Sequence, residues 1–205
     1  MFLNINQPAF AAKRDLKDIP VFGLLCQALG CIFIAREGSQ DARNQVIDDI
    51  RDRQDLIERE GIYPPIIVFP EGGTSNGTSV LSFKKGAFAS LKAVKPVFIR
   101  YEYDMLNNAY DVMPFFALFV LQCCCFNYRV TFNELPPFIP NEHLFTQYAK
   151  NLGGNKEKWE VFAEAIRDIL VKVGNSKRDE TNYREKLAYE IELGYLKKRE
   201  TPKHD

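Results

Sequence analysis

The 205-residue chain is short of histidine (2) and cysteine (5), and none of its cysteines forms a Cys-x-x-Cys pair. Three of the five, Cys123, Cys124 and Cys125, are consecutive in an apolar run. That pattern argues against a zinc site or any other metal centre, and against a disulfide framework. Net charge is also missing: 27 Lys and Arg stand against 27 Asp and Glu, which argues against a nucleic-acid binder. No long apolar run is present either. Ile19–Ala35 is broken by Gln27 and starts too far in for an ordinary signal peptide. Val112–Phe126 is shorter than the ~18–20 residues a spanning helix needs. Internal repeats are absent. A reduced, cytosol-facing setting follows, in which the Asn76-Gly77-Thr78 sequon is an accident of its loop.

What is present is enough apolar material for a core: 46% hydrophobic residues, with 13% aromatics. The order of patterns is that of an α/β protein. Ile19–Ala35 reads as a helix turning into a buried strand, with the strand at Cys31–Ala35 ending at Arg36. Ser39 is placed to cap a helix running to about Glu60, with Val46, Ile50 and Ile57 on one face. Gly61 and Pro64 stop it. Ile66–Phe69 is continuously apolar, as a strand covered on both faces should be. Phe83–Lys92 is expected to be helical, and Val97–Tyr101 and Arg129–Phe132 to be strands. For Ile19–Ala35 and Val112–Phe126 two readings stay open, a buried core helix and a segment lying in one membrane leaflet. Residues 156–173 carry Trp159, Phe162, Ile166, Ile169 and Val173 at helical spacing. Beyond Lys177 the chain is charged, with a weakly amphipathic stretch around Leu187 and Ile191. The expected organisation is a domain over 1–175 and a charged helical tail over 176–205.

Chemistry concentrates after the second apolar strand, in Val68–Phe88 (VFPEGGTSNGTSVLSFKKGAF). Glu71 follows Pro70 and emerges at a strand's carboxyl end, where α/β proteins place ligands. Gly72, Gly73, Thr74 and the small residues after them leave backbone N–H groups open to a ligand's oxygens. A nucleotide P-loop is excluded, because Thr78-Ser79 stands where that motif requires Lys followed by Ser or Thr. Between Gly72 and Tyr101 there is no acid, while Lys84, Lys85, Lys92, Lys95 and Arg100 are all basic. With Arg36 the region reads either as an anion-binding loop beside a placed carboxylate or as a turn beside a solvated basic face.

Phe69-Pro70-Glu71-Gly72, followed by Phe83-Lys84-Lys85-Gly86-Ala87-Phe88, resembles the third block of the PlsC-like glycerolipid and lysophospholipid acyltransferases. Gly30–Arg36 (GCIFIAR) resembles the second block of that family, and Lys95–Tyr101 (KPVFIRY) the fourth. All three occur in family order. Ser39–Arg43 (SQDAR) and Thr74-Ser75-Asn76 look most like the lysophosphatidylcholine acyltransferase branch.

The resemblance covers roughly residues 8–140, and it implies a PlsC-like fold, a mixed sheet flanked by helices. The implied reaction is acyl transfer from acyl-CoA, as co-substrate, to the free hydroxyl of a lysophospholipid. It would take place at a phospholipid membrane, on the cytosolic face of the endoplasmic reticulum or another endomembrane. No further cofactor is implied. Carried over by position, Arg36 would face the acceptor's phosphate, Glu71 and Gly72 would help position its glycerol part, and Phe69, Pro70, Gly73 and Thr74 would belong to the same substrate-binding stretch. Pro96 would support the acyl-donor side, and the charge of Lys84 suits CoA phosphates or an anionic membrane.

Two departures from the family qualify this. Many relatives have Glu-Gly-Thr-Arg-Ser in the third block, where this chain has Glu-Gly-Gly-Thr-Ser. With Thr74 at the arginine position, a phosphodiester head is favoured over lysophosphatidate. The family's catalytic His-x-x-x-x-Asp is absent altogether, since His143 has Tyr148 five positions on and His204 is next to last. The opening residues resemble the segment that directly follows the catalytic aspartate. The expectation is therefore an acyltransferase fold truncated at its N-terminus, with Met1 an internal methionine, its general base upstream and no turnover from this chain alone. The alternative is a non-catalytic, acyltransferase-like subunit that binds lipid or acyl-CoA in a membrane complex.

Overall fold

The computed structural model describes residues 8–34, 40–61, 64–73, 75, 77–103, 106, 115–125, 127–181, 185, 188, 191–192 and 194. Arg36, Ser39, Thr74, Asn76 and Leu187 lie outside them. The chain divides into two units. The first comprises 1–70, 84–94 and 139–163, and the second 71–83, 95–138 and 164–205.

In the first unit a parallel three-stranded sheet has the order β2-β1-β3, formed by β1 (Ala9–Lys13), β2 (Ile32–Ile34) and β3 (Ile66–Ile67). Ala11 pairs with Ile32, and Ala9 with Ile66. Parallel neighbours need long crossovers, and two helices supply them. Helix α1 (Phe22–Ala28) joins β1 to β2, and α2 (Gln40–Glu60) joins β2 to β3. Helix α2 turns Ile50 inward at 2% exposure and ends at Gly61, whose φ of 65° is cheap only for glycine. Gly23 allows α1 to lie against the turn Arg14–Asp18, since a Cβ there would sit 2.1 Å from the Lys17 carbonyl oxygen. The core gathers around Ala9, Ile50, Phe88 and Phe162, the two phenylalanine rings meeting edge to face at 5.4 Å.

The second unit contains an antiparallel pair, β5 (Val97–Tyr103) and β6 (Tyr128–Glu134), with Ile99 opposite Phe132 and Tyr101 opposite Val130. It also contains a short parallel pair, β4 (Ser79–Val80) with β7 (Lys177–Arg178). Helix α3 (Phe115–Cys124) belongs here. Helix α4 (Lys158–Gly174) gives its residues up to Ala163 to the first unit and the rest to the second. Its start is tied by the Glu157 N–H donating to the Glu160 carboxylate at 3.0 Å. Its end needs a glycine: a Cβ on Gly174 would lie 2.4 Å from the Phe98 ring.

The expected α/β class, strands β2, β5 and β6, and helices α2 and α4 are all present. Four expectations are corrected. Phe83–Lys92 makes only the single 3-10 turn Lys85–Ala87, because Gly86 sits in its middle and Leu91 turns to a φ of 54°. Strand β3 stops at Ile67 at the edge of its sheet, and Phe69 is 59% exposed instead of covered on both faces. Helix α1 is not a buried core helix: Phe22, Leu24 and Leu25 are exposed, as is Val21 just before it, and only Gly23 and Cys26 within it are buried. Helix α3 likewise buries Leu118 and exposes Phe119, Val120 and Leu121, with Cys123 and Cys124 on the surface. Each helix is apolar at nearly every position, with one glutamine apiece (Gln27 and Gln122), so no single face directs it inward.

Candidate functional site

Glu71 is half-buried in the second unit, on a turn continued by Gly72 at a φ of 72°. Its Oε1 accepts the Leu81 N–H at 3.4 Å, closing a ten-residue loop through Gly72, Gly73 and Ser79. Burial pushes the Glu71 carboxyl above its ordinary range, and the Leu81 N–H and the Arg167 guanidinium draw it part of the way back.

The far limb of that loop is held by the chain after α4. Lys177 donates to the Thr78 carbonyl and Asp179 to the Val80 carbonyl, at 3.4 and 3.1 Å. The Ser82 hydroxyl donates to the carbonyls of Glu180 and Thr181, at 3.0 and 3.2 Å. Charge is packed tightly around this seam. Arg167 is fully buried and its Nη1 donates to Glu180 at 3.1 Å, while Nη2 reaches the carbonyls of Val80 and Asp179. Arg178 pairs with Glu164, with Asp168 at 2.7 Å and with Glu180 at 2.6 Å. The charged stretch beyond Lys177 thus begins as part of the second unit's hydrogen bonding.

The other residues singled out from the sequence divide between the units. Phe69, Pro70 and Lys84 belong to the first, where the Lys84 N–H donates to the Pro70 carbonyl at 2.8 Å and closes the base of the loop. Glu71, Gly72, Gly73 and Pro96 belong to the second. Pro96 is buried, and its carbonyl accepts the Leu135 N–H at 3.0 Å. Arg36 and Thr74 lie outside the described residues.

The basic stretch has carboxylate partners supplied from elsewhere in the chain. In the first unit Lys85 faces Glu157 at 3.3 Å, and Lys92 faces Asp55 and Glu58 at 2.9 and 2.5 Å. In the second, Lys95 faces Glu134 at 2.7 Å, and Arg100 donates to the Gly174 carbonyl. Among the described residues no group of His, Cys, Asp and Glu is arranged to hold a metal. His143 is exposed.

Sequence reasoning missed Arg167, whose signal was a cation inside the apolar stripe of α4, between Ile166 and Leu170. A buried arginine there needs partners, and the carbonyls of Val80 and Asp179 are two of them.

Comparison with known proteins agrees with these motifs. The Acyltransferase family model matches residues 1–101, a span that takes in all three blocks. Lysophospholipid acyltransferase LPEAT1 of Arabidopsis thaliana is 27% identical over 93% of this chain and 45% of its own length. Lysophosphatidylcholine acyltransferase 1 of Danio rerio is 28% identical over 83% of this chain and 30% of its own. The human lysophosphatidylcholine acyltransferase 1 is 30% identical over 68% of this chain and 26% of its own. The chain thus spans less than half the length of these curated relatives. The crystal structure of the 1-acyl-sn-glycerophosphate (LPA) acyltransferase PlsC from Thermotoga maritima aligns with 82% of this chain and 56% of its own. The TM-score is 0.47 at 21% identity. From its three ordered blocks and its relatives, the chain belongs to the PlsC-like acyltransferase family, on the side of its lysophosphatidylcholine acyltransferase branch.

Proposed function

We propose that this chain is the acceptor-binding part of an enzyme that transfers an acyl group from acyl-CoA to a lysophospholipid. The observation that carries the reading is the family match over residues 1–101, with Glu71 and its glycine turn at the match's third block. Relatives named for lysophospholipid and lysophosphatidylcholine acyl transfer support the acceptor class. In the reaction the acceptor's hydroxyl oxygen attacks the thioester carbonyl, a new ester bond forms, and the CoA thiolate leaves. The hydroxyl proton passes to a histidine oriented by an aspartate, and from there to the leaving sulfur.

These 205 residues contain no His-x-x-x-x-Asp. By themselves they should therefore bind without turnover, since a positioned general base is worth ~10²–10⁴ in rate. Arg36 is proposed to meet the acceptor's phosphate, Glu71 and Gly72 its glycerol portion, and Pro96 to brace the donor side. Thr74, lacking an arginine's charge, favours phosphodiester heads such as phosphocholine or phosphoethanolamine.

Association with a membrane is part of the proposal. No helix among the described residues is long and apolar enough to cross one. Helix α1 and the residue before it instead present Val21, Phe22, Leu24 and Leu25 to solvent in the first unit, and α3 presents Phe119, Val120 and Leu121 in the second. Exposed apolar helices of this kind suit a position in one leaflet, here on the cytosolic face of an endomembrane.

A second reading, a non-catalytic subunit that binds lipid or acyl-CoA, is favoured by the missing histidine motif alone. Intact mass and the N-terminal peptide of the native protein separate the two. A longer protein with His-x-x-x-x-Asp ahead of residue 1 is expected; a native start at Met1 would leave only the binding reading.

A further inference from the structure

Four observations, all within the second unit, meet at one peptide group. The Glu71 Oε1 accepts the N–H of Leu81 at 3.4 Å. The carbonyl of Val80, the other end of the same peptide, accepts Nη2 of Arg167 at 3.1 Å. Arg167 is fully buried, so its guanidinium is fixed by Glu180 at 3.1 Å, by Glu164 at 3.7 Å and by the Asp179 carbonyl. The Val80 carbonyl also accepts the Asp179 N–H at 3.1 Å, which pins the peptide's plane.

A cation donating to a peptide oxygen polarises the group and makes its N–H a stronger donor, and such chains reinforce each other where water is excluded. Val80 and Leu81 are both buried. We infer that Arg167 is a positioning residue, acting through the Val80–Leu81 peptide to orient the Glu71 carboxyl in the acceptor loop. Its charge opposes the burial that favours the neutral acid. The charged groups facing the seam are Glu164, Arg167 and Asp168 from α4, Arg178 from β7, and Asp179 and Glu180 just beyond it. Only the catalytic meaning of this arrangement rests on the acyltransferase reading; the relay does not.

The test follows the Leu81 amide of the ¹⁵N-labelled 205-residue chain through a pH titration. Its chemical shift should titrate with Glu71, at a midpoint above that of an ordinary carboxylate. Arg167→Met should raise the midpoint further, and Arg167→Lys should recover part of that rise. Looser packing alone would expose Glu71 and lower the midpoint, the opposite direction. Should Arg167→Met fail to fold, Glu71→Ala decides: the Leu81 titration should vanish and, with its acceptor removed, its exchange with solvent should quicken. A Leu81 amide that does not titrate in the wild type would overturn the inference. So would an unmoved midpoint in Arg167→Met, or unchanged exchange in Glu71→Ala. Acyl transfer by the longest native form, wild type beside Arg167→Lys, reads the function separately. A wild type without turnover would count against the acyltransferase reading and leave the Leu81 amide to decide the relay.

Discussion

Helices α1 and α4 are both rich in apolar residues and meet opposite fates. In α4 the apolar positions recur every three or four residues, with charges between them, and Phe162 and Ile166 are sealed at 0% and 2% exposure. In α1 almost every position is apolar, yet Leu24 and Leu25 face solvent at 72% and 53%. Period, not apolar content, tells a helix which side to bury. A helix apolar at nearly every position has no preferred side, and in this chain its surplus faces outward.

That contrast can be broken from either side. The largest effect is expected at the sealed face of α4, where Phe162→Ala removes a ring stacked edge to face on Phe88. It should cost about 3–5 kcal/mol in denaturant unfolding. Next, Gly174→Ala drives a methyl into the Phe98 ring and should cost about 1–3 kcal/mol by the same measure.

Glu71→Gln should act in the opposite direction, and only over part of the pH range. A carboxyl whose folded-state value is raised supports the fold while protonated and loses that contribution as pH rises through the raised value. The variant should therefore be the more stable protein at neutral pH. Its advantage should fade as the pH falls below the unfolded carboxylate value, in unfolding curves taken across that window. The smallest effect on stability is expected at Leu24→Ser, within ~0.5 kcal/mol because the side chain is already in solvent. The same change should weaken sedimentation with phosphatidylcholine vesicles; unaltered vesicle binding would remove α1 from the membrane proposal.

The regular elements were legible where one signal dominated. Helix α2 shows its 3.6-residue period and a glycine stop, while β5 and β6 are rich in β-branched and aromatic residues. Strand β1 was not legible, because Ala9, Ala11 and Ala12 have little strand preference; it is the centre of its sheet because small residues pack closely between two neighbours. The pairing of β4 with β7 joins two residues to two others nearly a hundred positions away, and no local pattern marks it. At the site, Glu71 stood out at the end of its apolar strand. The carboxylates that meet Lys85, Lys92 and Lys95 did not, because Glu157, Asp55, Glu58 and Glu134 lie in distant elements. An acid-free stretch of sequence is therefore no measure of an acid-free surface.

Acyl transfer by the longest native form of the protein tests the central claim most directly. Labelled acyl-CoA would be supplied with lysophosphatidylcholine, lysophosphatidylethanolamine or lysophosphatidate in turn. The account predicts a labelled diacyl product, more readily with the two phosphodiester acceptors than with lysophosphatidate, and none from the 205-residue chain by itself. A native protein that acylates none of the three, although it carries His-x-x-x-x-Asp ahead of residue 1, would contradict it.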